Sequence, residues 1–364
     1  MTDHPMHIGL VGPLPPPFGG MANQTRQLAE LLRGEGLTVS VVQTNAEYHP
    51  HWVSGLPVIR AVFRLVPYLF KLWNITGSCN LLHVMANSGW SWHLFAAPAI
   101  WIAKLRKTPV IVNYRGGEAA SFLASSSQSV NLSMRQASAL IVPSGFLNAV
   151  FSNFNMASNI VPNIVDIERF NNPAPHRPSR RHLLIARNLE PIYDNETAIR
   201  AFFTVHRSYP DATLTIAGSG PLANQLRALA ESLGLAGAIT FAGRLDRDAM
   251  AEAYRNADIA INPSLVDNMP NSVLEALASA VPVVSTNVGG VPYIVNDGQT
   301  ALLVPPGSPD AMAEAILRLM GDVVLSEQLV KNGLSEVQKY TWQRVWPLLS
   351  SVYDQASHAR RLAA

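Results

Sequence analysis

Residues 262–290 read NPSLVDNMPNSVLEALASAVPVVSTNVGG, and their pattern sets the architecture of the chain. An apolar run, ADIAINP, leads in from Ala257, and a β-branched run, VPVVST, follows from Val281. Between them lie a polar loop, Asp267 to Asn271, and a short apolar helix whose first positions suit Pro270 or Asn271. Strand, helix and strand at this spacing make a βαβ unit with parallel strands. Asp267 and Glu275 straddle the turn that opens the helix. Free backbone N–H groups and the positive end of the helix dipole would face any guest above the loop, where a diphosphate fits. Glu275, about one turn inside, can accept from ribose hydroxyls, and Asp267 from hydroxyls of a sugar. As bare spacing two acids eight apart say little; the signal lies in the surrounding strand, loop, helix and Gly289-Gly290 turn.

Working outward, the same alternation fills the second half. HLLIAR, ATLTIAG, AITFAG and ALLVP read as further strands, with ETAIRAFFTVHRSY and ANQLRALAESLG as helices between them. Before them, PNIVDIERFNNPAPHRPSRR, from Pro162 to Arg181, is dense in Pro, Asn and charge and reads as an interdomain linker. The first half opens with HIGLVG, a Pro-rich loop ending at Gly19-Gly20, the helix MANQTRQLAELLRG and the strand LTVSVVQT. NLLHVM, TPVIVNYR and SALIVPS add strand-like runs, and three or four parallel strands are expected to carry this half. The fold class is therefore α/β, with two doubly wound parallel sheets and a ligand cleft facing the carboxyl ends of their strands.

Composition agrees. The 364 residues are too many for one ordinary core. An apolar fraction of 48% with 14% charged residues is globular, and a net charge of +2 with no clustered basic stripe argues against nucleic acid as a partner. The lone cysteine, Cys79, cannot form an intramolecular disulfide, and the Pro-rich start is a poor export signal, so a cytoplasmic protein is expected. Two apolar windows, Leu56 to Trp73 and Leu94 to Leu105, fall short of a spanning helix. Either they are helices buried in a domain, the commoner case, or they lie on a membrane surface with Trp73, Trp90, Trp92 and Trp101 at headgroup depth.

Gly12, Gly19 and Gly20 lack the G-x-G-x-x-G spacing, and the second strand ends in Gln43, Thr44 and Asn45 with no acid, which disfavours a nicotinamide site. Gly19-Gly20 still lets backbone approach a phosphate or sugar, although a plain turn would look the same. Asp246-Arg247-Asp248 has the form of a metal-chelating Asp-x-Asp. It stands directly before the helix AMAEAYRNAD, however, and helix capping is the preferred reading. His49 and His51 stand apart from other ligand types, and no metal site is assigned.

Asp267-NMPNSVL-Glu275, Pro282-Val283-Val284 and Gly289-Gly290-Val291-Pro292 together resemble the signature of the retaining GT-B-fold glycosyltransferases of family 4, also called group 1. The likeness extends to Val161–Asp166 with Phe170 as an interdomain hinge, Ala217-Gly218-Ser219-Gly220-Pro221-Leu222 as a Gly-rich turn, and YTWQRVWPLLSSVYDQ as a closing helix. It implies two Rossmann-like domains, an acceptor domain over residues 1–165 and a nucleotide-sugar domain over 166–340, with a helix at about 341–360 packing back on the first. It also implies metal-independent transfer of a sugar from a nucleoside-diphosphate sugar to a hydroxyl, with retained configuration and no cofactor besides that co-substrate. The donor-binding positions carried over are Gly19, Gly20, Arg187, Asn188, Gly218, Asn268, Met269, Pro270 and Asn271, and the catalytic ones Glu275, Asp267 and Arg115.

Three features depart from the family. Asp267 is one methylene shorter than the usual Glu. Asn188 and Tyr193 stand where an Arg and a Lys would clamp the diphosphate; Arg187 is the neighbouring cation, although strand alternation would turn it to the opposite face. Arg115 replaces the usual His, which excludes a general base there and supplies a permanent charge that would reach across the cleft to the diphosphate. The expected acceptor is a glycan or lipid-linked glycan at the inner face of a membrane. The alternative is a glycosyltransferase-like protein that binds a nucleotide sugar or a partner without catalysis, and a nicotinamide oxidoreductase stands third.

Overall fold

A computed structural model describes residues 5–16, 19–47, 57–172 and 181–363. The chain divides into two compact units, Met1–Asn163 with Val345–Ala364, and Ile164–Arg344. His49 and His51 lie outside the described residues.

The first unit alternates strand and helix: β1 (His7–Gly12), α1 (Gly20–Gly34), β2 (Thr38–Gln43), α2 (Pro57–Ser78), β3 (Leu81–Ala86), α3 (Ala97–Leu105), β4 (Val110–Tyr114), α4 (Ala119–Met134), β5 (Ala139–Val142), α5 (Gly145–Ser152) and β6 (Asn159–Ile160). All pairings are parallel, in the order β2-β1-β3-β4-β5-β6. The expectation of three or four strands is thus too low. The sixth strand is two exposed residues, too short to show a period. β3 and β4 run through the middle, buried along their whole length.

The second unit holds α6 (Ile167–Phe170), β7 (His182–Ala186), α7 (Asn195–Ser208), β8 (Thr213–Ala217), α8 (Ala223–Ser232), β9 (Ile239–Gly243), α9 (Arg247–Asn256), β10 (Ile259–Asn262), α10 (Asn271–Ala278), β11 (Val283–Thr286), β12 (Leu302–Val304), α11 (Pro309–Gly321) and α12 (Val323–Val337). Its sheet, again parallel, has the order β12-β11-β10-β7-β8-β9. Side chains alternate across it: Leu183, Ile185, Ile259 and Ile261 join one core with α7 and α11, while Leu184, Ala260 and Val283 join another with α9 and α10. The segment read as a linker is partly structural, because Val165 and Phe170 are buried in this second core and Asp166 caps α6 through Arg169 N–H. The last helix, α13 (Trp342–Ala363), returns to the first unit, where the Tyr353 hydroxyl lies 2.8 Å from His83 Nδ1 on β3.

Candidate functional site

Asp267 and Arg187 form an ion pair, each side chain only 11% exposed. The strand-alternation argument against Arg187 fails for a local reason. β7 ends at Ala186, so Arg187 stands past the last paired residue and its side chain is no longer held to the alternation. Its Nε donates to Asn262 Oδ1 at 2.7 Å, and its guanidinium lies 4.8 Å from the centre of the Tyr193 ring. Asn262 is itself fixed from three sides: it also accepts from Ser264 Oγ at 3.0 Å and donates through Nδ2 to Ser285 Oγ at 2.9 Å. Tyr193, at the position expected to hold a Lys, therefore covers a cation instead of supplying one. Asn188 turns to Glu190, donating to Oε1 at 3.2 Å.

The acidic loop is held by backbone. Gly290 N–H donates to Asp267 O at 2.8 Å, and Gly289 takes a φ of +51°, a conformation that suits glycine. Asn268, Met269 and Pro270 are buried, and the Met269 side chain belongs to the core. α10 starts at Asn271 with Pro270 as N-cap, a residue whose side chain cannot cap it. Glu275, half-buried on this helix, is lifted from 4.5 to about 7 by desolvation, against the pull of a Tyr254 hydrogen bond and of the Arg247 and Arg187 charges. Tyr254 is 1% exposed, and its hydroxyl donates to Ser272 O at 3.0 Å. Arg187, Asp267, Glu275, Asn262 and Tyr254 thus meet where β7 and β10 end and α10 begins, the position at which open parallel sheets take ligands.

Gly218 lies alongside for a steric reason: an added Cβ would stand 1.9 Å from Arg187 O, and one on Gly220 would stand 2.3 Å from Leu189 O. Gly19 and Gly20, in the first unit, differ. Gly19 is extended, with a φ of −163°, and among the described residues nothing lies within 4 Å of a Cβ at either position. Among the described residues neither backbone nor internal packing demands glycine there. Arg115 follows β4; its Nε donates to Asn113 Oδ1 at 2.7 Å and its Nη1 to Asn163 Oδ1. Desolvation lowers it to about 10, so it stays charged at neutral pH. Asp246 caps α9, accepting from Asp248 N–H and Ala249 N–H, as the capping reading expects.

Several groups escaped the sequence reading. Asn262 and Asn113 sat in plain view, beside the quoted loop and two residues before Arg115, but Tyr254 and His83 lie on elements remote from the residues they serve.

Two family models match the chain: "Glycosyl transferase 4-like domain" over residues 19–163 and "Glycosyl transferases group 1" over residues 180–322. The chain belongs to this glycosyltransferase family. As a group 1, GT4-type glycosyltransferase with a GT-B fold it acts on sugar donors. It is 27% identical over 376 residues to a phosphatidyl-myo-inositol mannosyltransferase of Mycobacterium leprae, covering 96% of each chain. It is 32% identical over 191 residues to a D-inositol 3-phosphate glycosyltransferase of Acidothermus cellulolyticus, covering 50% of this chain and 42% of that protein. Among solved structures, a sucrose-phosphate synthase from Thermosynechococcus elongatus superposes with a TM-score of 0.77 at 21% identity, over 97% of this chain and 100% of that one. Anabaena HepE in complex with UDP and glucose superposes with a TM-score of 0.72 at 16% identity over the same shares, a likeness of fold.

Proposed function

We propose that this glycosyltransferase moves a hexosyl group from a nucleoside-diphosphate sugar to a hydroxyl of a glycan or lipid-linked glycan, with retained anomeric configuration and no required metal. The observation that carries the reading is the grouping of Glu275, Asp267 and Arg187 at the N-terminus of α10. Glu275 accepts from the donor ribose, Asp267 from hydroxyls of the transferred sugar, and Arg187 takes up part of the diphosphate charge released as the sugar leaves. The backbone of Asn268, Met269 and Asn271 faces the phosphates, and Gly19-Gly20 lets main chain approach the donor closely. Arg115 adds a second permanent cation for the leaving group. The acceptor hydroxyl attacks from the face that the diphosphate leaves, so no protein nucleophile is needed.

A lipid-linked acceptor at the inner membrane face is supported by α2 and α3. Tyr68, Leu72 and Ile75 are buried, while Val62, Val66, Phe70 and Trp73 on the same helix are 54%, 59%, 68% and 46% exposed. Trp101 and Leu105 on α3 are also exposed, at 39% and 72%, so the windows are neither fully buried nor polar outside. No Asp or Glu occurs between Glu47 and Glu118, a span that carries Lys71, Lys104, Arg106 and Lys107 on exposed positions. Apolar side chains flanked by cations suit an anionic lipid surface. No helix among the described residues is long and apolar enough to cross a membrane. The relative named a phosphatidyl-myo-inositol mannosyltransferase, whose name specifies a lipid, supports the same reading.

The test is a panel of UDP-, GDP- and ADP-sugars, with and without chelator, scored for transfer and donor hydrolysis, with the product anomer read by NMR. Glu275→Ala should keep the circular-dichroism spectrum and lose at least about 100-fold in kcat/KM, roughly 2.7 kcal/mol of transition-state stabilisation. Donor binding without transfer or hydrolysis would favour the non-catalytic alternative.

A further inference from the structure

A chain of buried polar side chains runs through the first unit. The Tyr353 hydroxyl on α13 lies 2.8 Å from His83 Nδ1; His83 Nε2 lies 3.0 Å from Asn113 Nδ2; Asn113 Oδ1 accepts from Arg115 Nε at 2.7 Å; and Arg115 Nη1 donates to Asn163 Oδ1. His83, Asn113, Tyr353 and Asn163 are 0%, 1%, 2% and 4% exposed. Apart from Arg115, these residues have no part in the proposed chemistry.

The hydrogen-bond inventory allows one arrangement. Arg115 can only donate, so it must face the Asn113 oxygen. The Asn113 amide nitrogen, also a donor, then meets His83 Nε2, which must accept. The ring proton is left on Nδ1 and points at the Tyr353 oxygen. A protonated His83 would set two donors against each other, and burial with the nearby Arg115 charge lowers this imidazole to about 3. At neutral pH the relay therefore has a single proton arrangement, and its order passes from the last helix to the guanidinium. Both ends lie beside chain crossings: Asn163 is the last residue before the second unit, and the chain re-enters the first at Val345, upstream of Tyr353 on α13.

We infer that His83, Asn113 and Tyr353 are positioning residues that hold the Arg115 guanidinium in its working orientation, so that seating of the last helix is read out at this cation. The inference rests on the proposed role of Arg115 in transfer. With the relay intact the guanidinium has one orientation. Without the Tyr353 hydroxyl the imidazole loses one of its two partners and can turn, the Asn113 amide nitrogen loses a fixed acceptor so that the side chain is less firmly held, and Arg115 samples orientations that do not meet leaving-group charge. An orientation defect lowers kcat more than it raises KM, because it removes an interaction made chiefly in the transition state.

The experiment is a double-mutant cycle on the full chain with Tyr353→Phe and Arg115→Gln, scored by kcat, KM and thermal midpoint. Tyr353→Phe should lower kcat about tenfold when Arg115 is present and less than twofold in the Arg115→Gln background, while the loss in thermal midpoint is the same in both. Equal fold losses of kcat in both backgrounds would overturn the inference and leave Tyr353 as packing only. A second readout does not need turnover: in 15N-labelled protein His83 should carry its proton on Nδ1, and the Arg115 Nε–H should exchange with solvent slowly in the wild type and at least tenfold faster in Tyr353→Phe. Unchanged exchange also overturns it. If no donor supports transfer while both NMR results hold, the proposed function fails and the positioning of Arg115 stands.

Discussion

Replacing Glu275 by Gln should stabilise the ligand-free protein at alkaline pH and leave it unchanged at acid pH. The carboxyl sits in a site that disfavours its charge, and its folded value of about 7 stands above the ordinary 4.5. A group raised in this way contributes stability that is fully present below pH 4.5 and is lost as pH rises through 7. At 1.36 kcal/mol for each tenfold change in the ionisation equilibrium, the gap between 4.5 and about 7 sets a ceiling of about 3 kcal/mol on the penalty above pH 7. Glu275 keeps some contact with solvent, which reduces the effect, and roughly 2 kcal/mol is expected. Gln is the neutral isostere, keeps an amide that can bond the Tyr254 hydroxyl, and carries no penalty at either pH. For a unit of this size that amounts to about 4–8 °C in its thermal midpoint. Scanning calorimetry at pH 4 and pH 8 measures it: the second unit's transition in Glu275→Gln should lie within about a degree of wild type at pH 4 and several degrees above it at pH 8. An equal shift at both pH values, or a destabilised variant at pH 8, would refute the claim that burial holds a costly charge here. Such a cost is what a binding site would carry if ribose hydroxyls arrive to satisfy the carboxylate.

The glycines separate structure from ligand approach. Gly220→Ala should lower the thermal midpoint sharply through its clash with Leu189 O, whereas Gly20→Ala should hold or raise it, since Ala favours a helix by up to about 1 kcal/mol, and should lower transfer at least tenfold; unimpaired transfer by Gly20→Ala would leave this pair as a plain turn. On the lipid side, Phe70→Ser with Trp73→Ser should abolish co-flotation with anionic liposomes while leaving turnover on a water-soluble acceptor within twofold, and a wild type that never floats would remove the membrane-surface reading.

Much of this molecule was legible in one dimension. Strands such as HLLIAR and VPVVST and the helix ETAIRAFFTVHRSY are written in local periodicity and β-branching, which act over a few residues and need no tertiary context. The same holds for the Asp246 cap, a hydrogen bond between near neighbours. Where the signal is weak the sequence misleads: β6 is too short for a pattern, and in the polar stretch after Pro162 the apolar residues Val165 and Phe170, which a core claims, stand among Asn, Asp, Glu and Arg in a run too short to mark an element.

The carboxylate half of the site, Asp267 and Glu275, was determined by the sequence because one loop and one helix turn carry both. The cationic half was decided by tertiary structure. Whether Arg187 could serve depended on where β7 stops, and only the folded unit shows it released from strand alternation and turned to Asn262, Tyr193 and Asp267. Likewise the partner of His83 lies 270 residues away on the last helix. No local pattern encodes such pairs, since a buried donor takes whatever acceptor the packing of distant elements brings within about 3 Å.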